Sequence, residues 1–471
     1  MSRSKPFFFA LVVFILMPFV PARAADRPNI VLFIADDMLW SDAGCYGSDD
    51  AKTPNLDRLA TQGMAFTRCF TSTAMCAPTR QQLYTGVWPV RNGAYPNHSK
   101  VKPDTRSLGH HFADLGYRVA ISGKKHYGPA KAFPFETLAG GKHHDSGKDA
   151  KKDLDLDAIR GFITRDREVP YVLICATNQP HAPWNRGDAS AFDPAKLELP
   201  PFFADTPETR RAYAAYLAEV TYMDALLGEV MDAVDNAGQR DNTIFVFTSE
   251  QGIGLPFGKW TCYDAGLRTA LVVRWPGKVE PGSRTDAMVQ YIDFVPTLID
   301  AVGGDPATID TGLGGAPDGG TGFDGKSFLP VLEGEIDTFR DVTFGVHTTR
   351  GIIDGSDCYP IRSARDQRYK LILNLNHTTA FRNIAQRGPV WDSWLDAAKA
   401  GDANAAKLVE RYRHRPAVEL YDLEQDPFEM NNRAGDPALA EVRKRLHEQL
   451  AAWMKQQGDE GVATEMVVKP R

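Results

Sequence analysis

Two carboxylates stand side by side at Asp36-Asp37, directly after the apolar run Asn29–Ala35. Adjacent carboxylates at the end of a buried strand are hard oxygen donors, and with further oxygens they suit Ca²⁺ or Mg²⁺. Taken alone they serve equally well as a helix cap or a solvated loop. The same placement recurs at Glu250-Gln251, after the run 243–248, where a carboxylate and an amide oxygen can complete an oxygen shell. Cys76-Ala77-Pro78-Thr79-Arg80 puts a thiol just ahead of a proline that can open a helix through Gln81, Leu83 and Tyr84. A nucleophile at a helix N-terminus faces backbone N–H groups and the positive end of the dipole, and Arg80 one turn on adds a fixed cation: an oxyanion-binding arrangement. A buried structural thiol, or one half of a disulfide, is the other reading of Cys76. Lys124 and His126 end a further strand-like run, His181 follows another, and Lys259 lies beyond Glu250. Singly, each reads as a surface lysine or a hydrogen-bonded histidine. Gathered around a metal, such cations and imidazoles would neutralise and protonate an oxyanion.

Residues this far apart in sequence need a sheet to collect them. Strands are predicted at Asn29–Ala35, 117–122, Tyr171–Ala176, 243–248 and 270–274, alternating with helical patterns near 108–115, Leu156–Thr164 and 208–234. Thr53 as N-cap, Pro54 in the first turn and Gly63 past the end bracket one more helix. This alternation predicts an α/β fold, a large mixed, mostly parallel sheet flanked by helices, with ligands bound beyond the carboxyl ends of its strands. The Gly/Asp/Pro-rich stretch 305–322 reads as an exposed loop. After it, short strands at 342–346, 359–362 and Tyr369–Asn374 and a helix over about 437–456 predict a smaller C-terminal α+β subdomain with a small antiparallel sheet. The expected division is a catalytic domain over 25–335 and the subdomain over 336–471. The charge blocks 148–152 and 153–157 read as solvated surface.

With 471 residues, 43% hydrophobic and 24% charged, the chain is globular, and it exceeds what one core of about 250–300 residues holds. Its net charge of −6 becomes −9 beyond residue 24, because Arg3, Lys5 and Arg23 are the only charges before that point; the sign argues against nucleic-acid binding. Residues 1–24 have the pattern of a cleaved signal peptide: Arg3 and Lys5, an apolar run over 6–20, then Ala22-Arg23-Ala24. That run is short against the ~20 residues of a membrane span, so export without a stable membrane anchor is expected. Six cysteines without a CxxC or a zinc spacing are not a disulfide scaffold.

The motifs together resemble the type I (formylglycine-dependent) sulfatases of the alkaline-phosphatase superfamily. CAPTR matches the sulfatase signature C-x-P-x-R, and PNIVLFIADD, GKKHYGP, NQPHAPW, TSEQG and ELYDLEQDPFEMNN match further family segments over nearly all of the chain beyond residue 24. The resemblance implies that Cys76 is oxidised to Cα-formylglycine by a maturation enzyme. It also implies that Asp36, Asp37, Glu250 and Gln251 bind Ca²⁺ (Mg²⁺ being the less usual ion), with the modified Cys76 beside it. By the same carry-over Arg80 holds the aldehyde hydrate, Lys124 and Lys259 bind sulfate oxygens, His126 takes a proton from the second hydroxyl and His181 assists the leaving group. The substrate implied is a sulfated saccharide, and the compartment periplasmic or extracellular, or lysosomal in a eukaryote. GKKHYGP, YPIRS and LNLN most resemble the heparan N-sulfatase (sulfamidase, or N-sulfoglucosamine sulfohydrolase) branch. His98, Trp184, His347 and Arg350 are candidates for the pocket wall. One departure is plain: the family generally has Asp followed by Asn or His where this chain has Glu250-Gln251. Two rivals remain, a two-zinc phosphatase or phosphodiesterase of the same superfamily, for which the chain lacks a His-rich shell, and an inactive binding protein.

Overall fold

The computed structural model describes residues 27–140 and 153–468, so the predicted signal peptide and the block 148–152 lie outside the described residues. The apolar run after Pro28 forms β1 (Asn29–Ala35), buried along its whole length. Its side chains alternate between two cores: Val31, Phe33 and Ala35 enter one hydrophobic cluster, and Ile30, Leu32 and Ile34 the other. A strand apolar on both faces has to be covered on both, which is why it lies inside a parallel sheet.

Among the described residues that sheet has nine strands: β1, β2 (Met64–Phe70), β3 (Arg118–Gly123), β4 (Glu136–Thr137), β5 (Tyr171–Ala176), β6 (Thr243–Ser249), β7 (Arg268–Arg274), β8 (Ser283–Thr285) and β9 (Val289–Gln290). Their order is β4-β3-β5-β1-β6-β7-β2-β8, with β9 beside β2. Only β7 runs against its neighbours β6 and β2. The helix Pro207–Asn236 covers one face with Tyr213, Leu217, Val220 and Leu227, while the helices Leu108–Asp114 and Phe294–Ala301 cover the other. Parallel pairing brings the strand ends together, with Gly123 opposite Ala176, Ala176 opposite Ile34, and Ala35 opposite Ser249.

A second, antiparallel sheet runs β10 (Thr343–His347), β11 (Ile361–Arg365), β12 (Tyr369–Asn374) and β13 (Val418–Asp422) in that order. The helix Ala440–Gln457 packs Leu446, Leu450 and Trp453 on one face of it, against Val346, Ala364, Leu371 and Leu420. The other face, with Ile361, Ile372 and Tyr421, merges with the core of the large sheet. Position 335 lies in the connection between the helix Phe294–Ala301 and β10.

Several local expectations change. Thr53 does stand at the N-cap of the helix Pro54–Thr61, but its side chain makes no capping bond: the hydroxyl accepts the Gly44 N–H at 2.9 Å, and Asp224 from the long helix receives the Asn55 and Leu56 N–H groups instead. The strand expected at 359–362 is shifted to Ile361–Arg365, because its arginines are buried and paired, Arg362 with Asp459 and Arg365 with Asp264. Asp153 is not part of a solvated block, since its carboxylate accepts from Gln179 Nε2 at 2.9 Å and Tyr222 OH at 2.7 Å. All six cysteines are free thiols. Among the described residues no helix is long and apolar enough to cross a membrane.

Candidate active site

Strand ends deliver the site. Asp36 and Asp37 follow β1, Glu250 and Gln251 follow β6, and Lys124 follows β3; all five are at most 2% exposed. Gly123 turns the chain at φ +93°, and a Cβ there would lie 2.0 Å from the Ala176 carbonyl oxygen, so only glycine lets Lys124 leave the strand this close to β5. The helix expected after the CAPTR cysteine starts at Cys76 itself and runs to Thr85, with all ten residues buried. Lys259, on the loop between β6 and β7, reaches back so that its Nζ lies 2.9 Å from Cys76 Sγ and 2.9 Å from Asp37 Oδ2.

The remaining contacts close the cluster. Lys124 Nζ is bonded to Asp36 Oδ2 and lies 3.7 Å from Glu250 Oε1. Arg80 Nε is 2.5 Å from Glu250 Oε2, with Nη2 3.9 Å from Asp36 Oδ1. Gln251 Nε2 donates to Asp37 Oδ1 at 2.7 Å and lies 3.4 Å from Cys76 Sγ. His181 presents Nε2 3.6 Å from Asp37 Oδ2, its Nδ1 being bonded to the Ala182 carbonyl at 2.5 Å. His126 Nε2 is 2.9 Å from His98 Nδ1. Every site residue expected from the sequence is therefore in one place, including the longer Glu250 and Gln251. Asp37, His98, His126 and Trp260 all hold left-handed backbone, with φ of 64°, 59°, 44° and 72°. For non-glycine residues that conformation costs of order 1–3 kcal/mol and clusters where function demands it.

Residues 28–304 match the family model described as Sulfatase, and residues 253–385 and 399–456 match N-sulphoglucosamine sulphohydrolase, C-terminal. The chain belongs to the sulfatase family. An ulvan-active sulfatase of Formosa agariphila is 31% identical over 92% of this chain and 81% of its own length. Human N-sulphoglucosamine sulphohydrolase is 30% identical over 92% of this chain and 90% of its own. Among solved structures, one described as bound to its substrate D-glucosamine-2-N,6-O-disulfate superposes with a TM-score of 0.67 at 21% identity, covering 92% of this chain and 99% of that one.

The sulfatase's acidic group fits a hard divalent cation, as the family generally uses. Asp36, Asp37, Cys76 and Glu250 each offer an atom within 4.8 Å of the others. Asp36 Oδ1 and Gln251 Oε1 are buried without a hydrogen-bond partner, two oxygens whose desolvation an ion would compensate. The Gln251 amide can exchange its O and N ends by a half-turn, which trades the donor now facing Asp37 for a second oxygen.

Three carboxylates, Asp36, Asp37 and Glu250, face three cations, Arg80, Lys124 and Lys259. Burial alone would push the Cys76 thiol up; Lys124 and Lys259 outweigh it and hold the group well below its ordinary value. Burial likewise opposes the charge on both lysines, and their carboxylates, Asp36 for Lys124 and Asp37 for Lys259, raise them above the ordinary lysine range. Burial drops His126 to about 3, so its imidazole is neutral. His181 is desolvated too, but Asp37 lifts it above its ordinary value. The site thus holds one neutral imidazole and one that favours its proton, which suits a base and an acid.

Arg80 tests how this sulfatase tolerates its own charges. With Arg80, Glu250 and Asp36 all at most 1% exposed, Arg80→Met leaves two buried carboxylates without their guanidinium, at a cost of about 3–5 kcal/mol. Urea unfolding of the variant should give a correspondingly lower free energy, and an unchanged midpoint would show that the pair is not desolvated.

Sequence reasoning missed the residues that brace the site. Gln81 Oε1 accepts from the Val101 and Gly128 N–H groups and Nε2 donates to Ser99 O, fastening the loops that bear His98 and His126 to the helix of Cys76. Gln82 Oε1 accepts from Ser72 Oγ at 2.7 Å and holds the segment before Cys76. The signal was available: two adjacent glutamines in a helix with no exposed face need internal partners. Of the four pocket candidates, His98 meets His126, and Trp184 donates its Nε1–H to Pro180 O. His347 does not line a pocket, being fully buried beside Phe381, and Arg350 is engaged by the Val468 and Asp357 carbonyls.

Proposed function

We propose that this sulfatase releases sulfate from the end of a sulfated sugar chain, acting through a Cα-formylglycine made from Cys76 and one bound Ca²⁺. The observation that carries the reading is the setting of Cys76: 2% exposed, at the first turn of a helix, 2.9 Å from Lys259 Nζ and grouped with Asp36, Asp37 and Glu250. Ca²⁺, held by Asp36, Asp37, Glu250 and Gln251, supplies a Lewis acid for a sulfate oxygen. The hydrated aldehyde supplies two hydroxyls, one to displace the sugar oxygen or nitrogen from sulfur and one to expel sulfate as the aldehyde re-forms. Lys124 and Lys259 bind sulfate oxygens. Arg80, on the same helix as Cys76 and paired with Glu250 and Asp36, holds the aldehyde hydrate. His181 gives its proton to the departing sugar atom, and neutral His126 takes one from the second hydroxyl.

All three cations are at most 3% exposed and gather at one point, which suits one sulfate group at a chain end rather than a track along a polymer. A long polyanion would also meet a chain of net charge −6, or −9 beyond residue 24. The N-sulphoglucosamine sulphohydrolase relative favours N-sulfoglucosamine as substrate. The ulvan-active relative supports the second reading, an O-sulfated polysaccharide end. A maturation enzyme as partner and export to a periplasmic or extracellular site belong to the same proposal. Sulfate release from a panel of N-sulfated and O-sulfated mono- and oligosaccharides decides the substrate. N-sulfoglucosamine is expected to be cleaved from chain ends; O-sulfate release with no sulfamate cleavage moves the assignment to the second reading, and release only within long polymers overturns chain-end action.

A further inference from the structure

Glu219 lies on the long helix Pro207–Asn236, far in sequence from every residue assigned a role above, yet it is only 1% exposed. A buried carboxylate is costly unless donors surround it. The donors here are backbone: Oε1 accepts the Asn185 N–H at 2.7 Å and the Arg186 N–H at 2.6 Å. The next residue, Gly187, has φ +69°, and a Cβ there would lie 2.2 Å from the carbonyl oxygen of Ala218, the residue before Glu219. The loop after β5 is thus pressed onto one point of the helix and fastened there by a charge-assisted pair of hydrogen bonds.

That loop carries His181. Between β5 and the clamp the chain is braced internally. Trp184 Nε1 donates to Pro180 O at 2.9 Å, the Trp184 ring meets Tyr216 of the same helix edge-on at 5.9 Å, and His181 Nδ1 is bonded to Ala182 O. The last contact fixes the ring so that Nε2 is the atom presented to Asp37. We infer that Glu219 is a positioning residue for the reaction: by clamping Asn185 and Arg186 it sets where His181 Nε2 stands relative to the departing atom of the substrate. The inference rests on the role given to His181 in the proposed function.

A positioning role has a signature that a merely structural one lacks. A proton donor matters most when the leaving group is poor, so misplacing it slows poor leaving groups more than good ones. The experiment compares 4-nitrophenyl sulfate with phenyl sulfate in the matured enzyme and in Glu219→Ala, Glu219→Gln and His181→Ala, with thermal midpoints measured alongside. Glu219→Ala is expected to slow phenyl sulfate about tenfold or more beyond its effect on 4-nitrophenyl sulfate. His181→Ala should do the same more strongly. Glu219→Gln keeps an oxygen for both N–H groups and should stay near the parent. Equal slowing of both substrates in Glu219→Ala, with the leaving-group effect present in His181→Ala, overturns the positioning role and leaves the proposed function standing. No leaving-group effect in His181→Ala overturns the role of His181 and the inference with it. If Glu219→Ala does not fold, Trp184→Phe takes its place; it removes the bond to Pro180 O and should show the same bias, and equal slowing of both substrates there overturns the inference.

Discussion

Cys76→Ala is expected to lose turnover by about 10⁴-fold or more while folding as the parent does. Nothing else in the cluster replaces the nucleophile: Lys124 and Lys259 are held protonated by Asp36 and Asp37, and His126 is a neutral base with no covalent role. The fold should survive because Lys259 keeps Asp37 at 2.9 Å when the thiol is gone, and the lost volume is small. Cys76→Ser separates the formylglycine mechanism from a simple nucleophile. A serine can take sulfate once but has no second hydroxyl to expel it, so mass spectrometry should find one SO₃ group retained on that peptide and no turnover. Sustained activity in either variant overturns the mechanism. The mass of the parent Cys76 peptide, from protein made with and without the maturation enzyme, tests the aldehyde directly.

Asp37→Asn should cost about 10²–10³-fold in rate and most of the bound metal. Asp37 Oδ2 pairs with Lys259 and faces His181, and Oδ1 accepts from Gln251, so one charge orders three neighbours and serves the ion as well. Elemental analysis of the parent should find one Ca²⁺ per chain, and chelation should remove activity with little change in thermal midpoint, since a core of this size does not need a metal to fold. Unchanged metal and rate in Asp37→Asn would remove Asp37 from the site, and two zinc ions per chain in the parent would favour the phosphatase rival.

Much of the large sheet is legible in the sequence because its central strands are apolar on both faces, and an unbroken run such as Ile30–Ala35 has few other homes. Asp36, Asp37, Lys124, Glu250 and Gln251 are legible for the same reason, since they stand directly after those runs, whereas Cys76 and Arg80 are read from the CAPTR motif. What the sequence conceals is polar burial. β11 carries Arg362 and Arg365 inside the protein, and β13 has Glu419 buried against Tyr263 and Tyr421, so neither alternates as a half-buried strand should. β4, β8 and β9 are three residues or fewer and leave no pattern to read. Glu219 is hidden by the same logic, an acid within a helix whose partner is backbone.

The contact between the two halves of the molecule has a consequence for the order of events in synthesis. Met75 and Trp260, which flank Cys76 and Lys259, pack under Ile352, Ile384 and Ala385, and the Val346 N–H reaches Ser72 O at 2.7 Å. The part of the chain that seals the cysteine is thus made almost 300 residues after it. In the finished protein Cys76 is 2% exposed, in a helix with no exposed residue, so the segment offers no surface to a second protein. On the formylglycine mechanism proposed above, conversion to the aldehyde is expected while the stretch around CAPTR is still open chain, and the late synthesis of its cover lengthens that interval. If that mechanism holds, sulfatase made faster than it is modified is expected to fold into an inactive thiol form that later exposure to the maturation enzyme does not rescue.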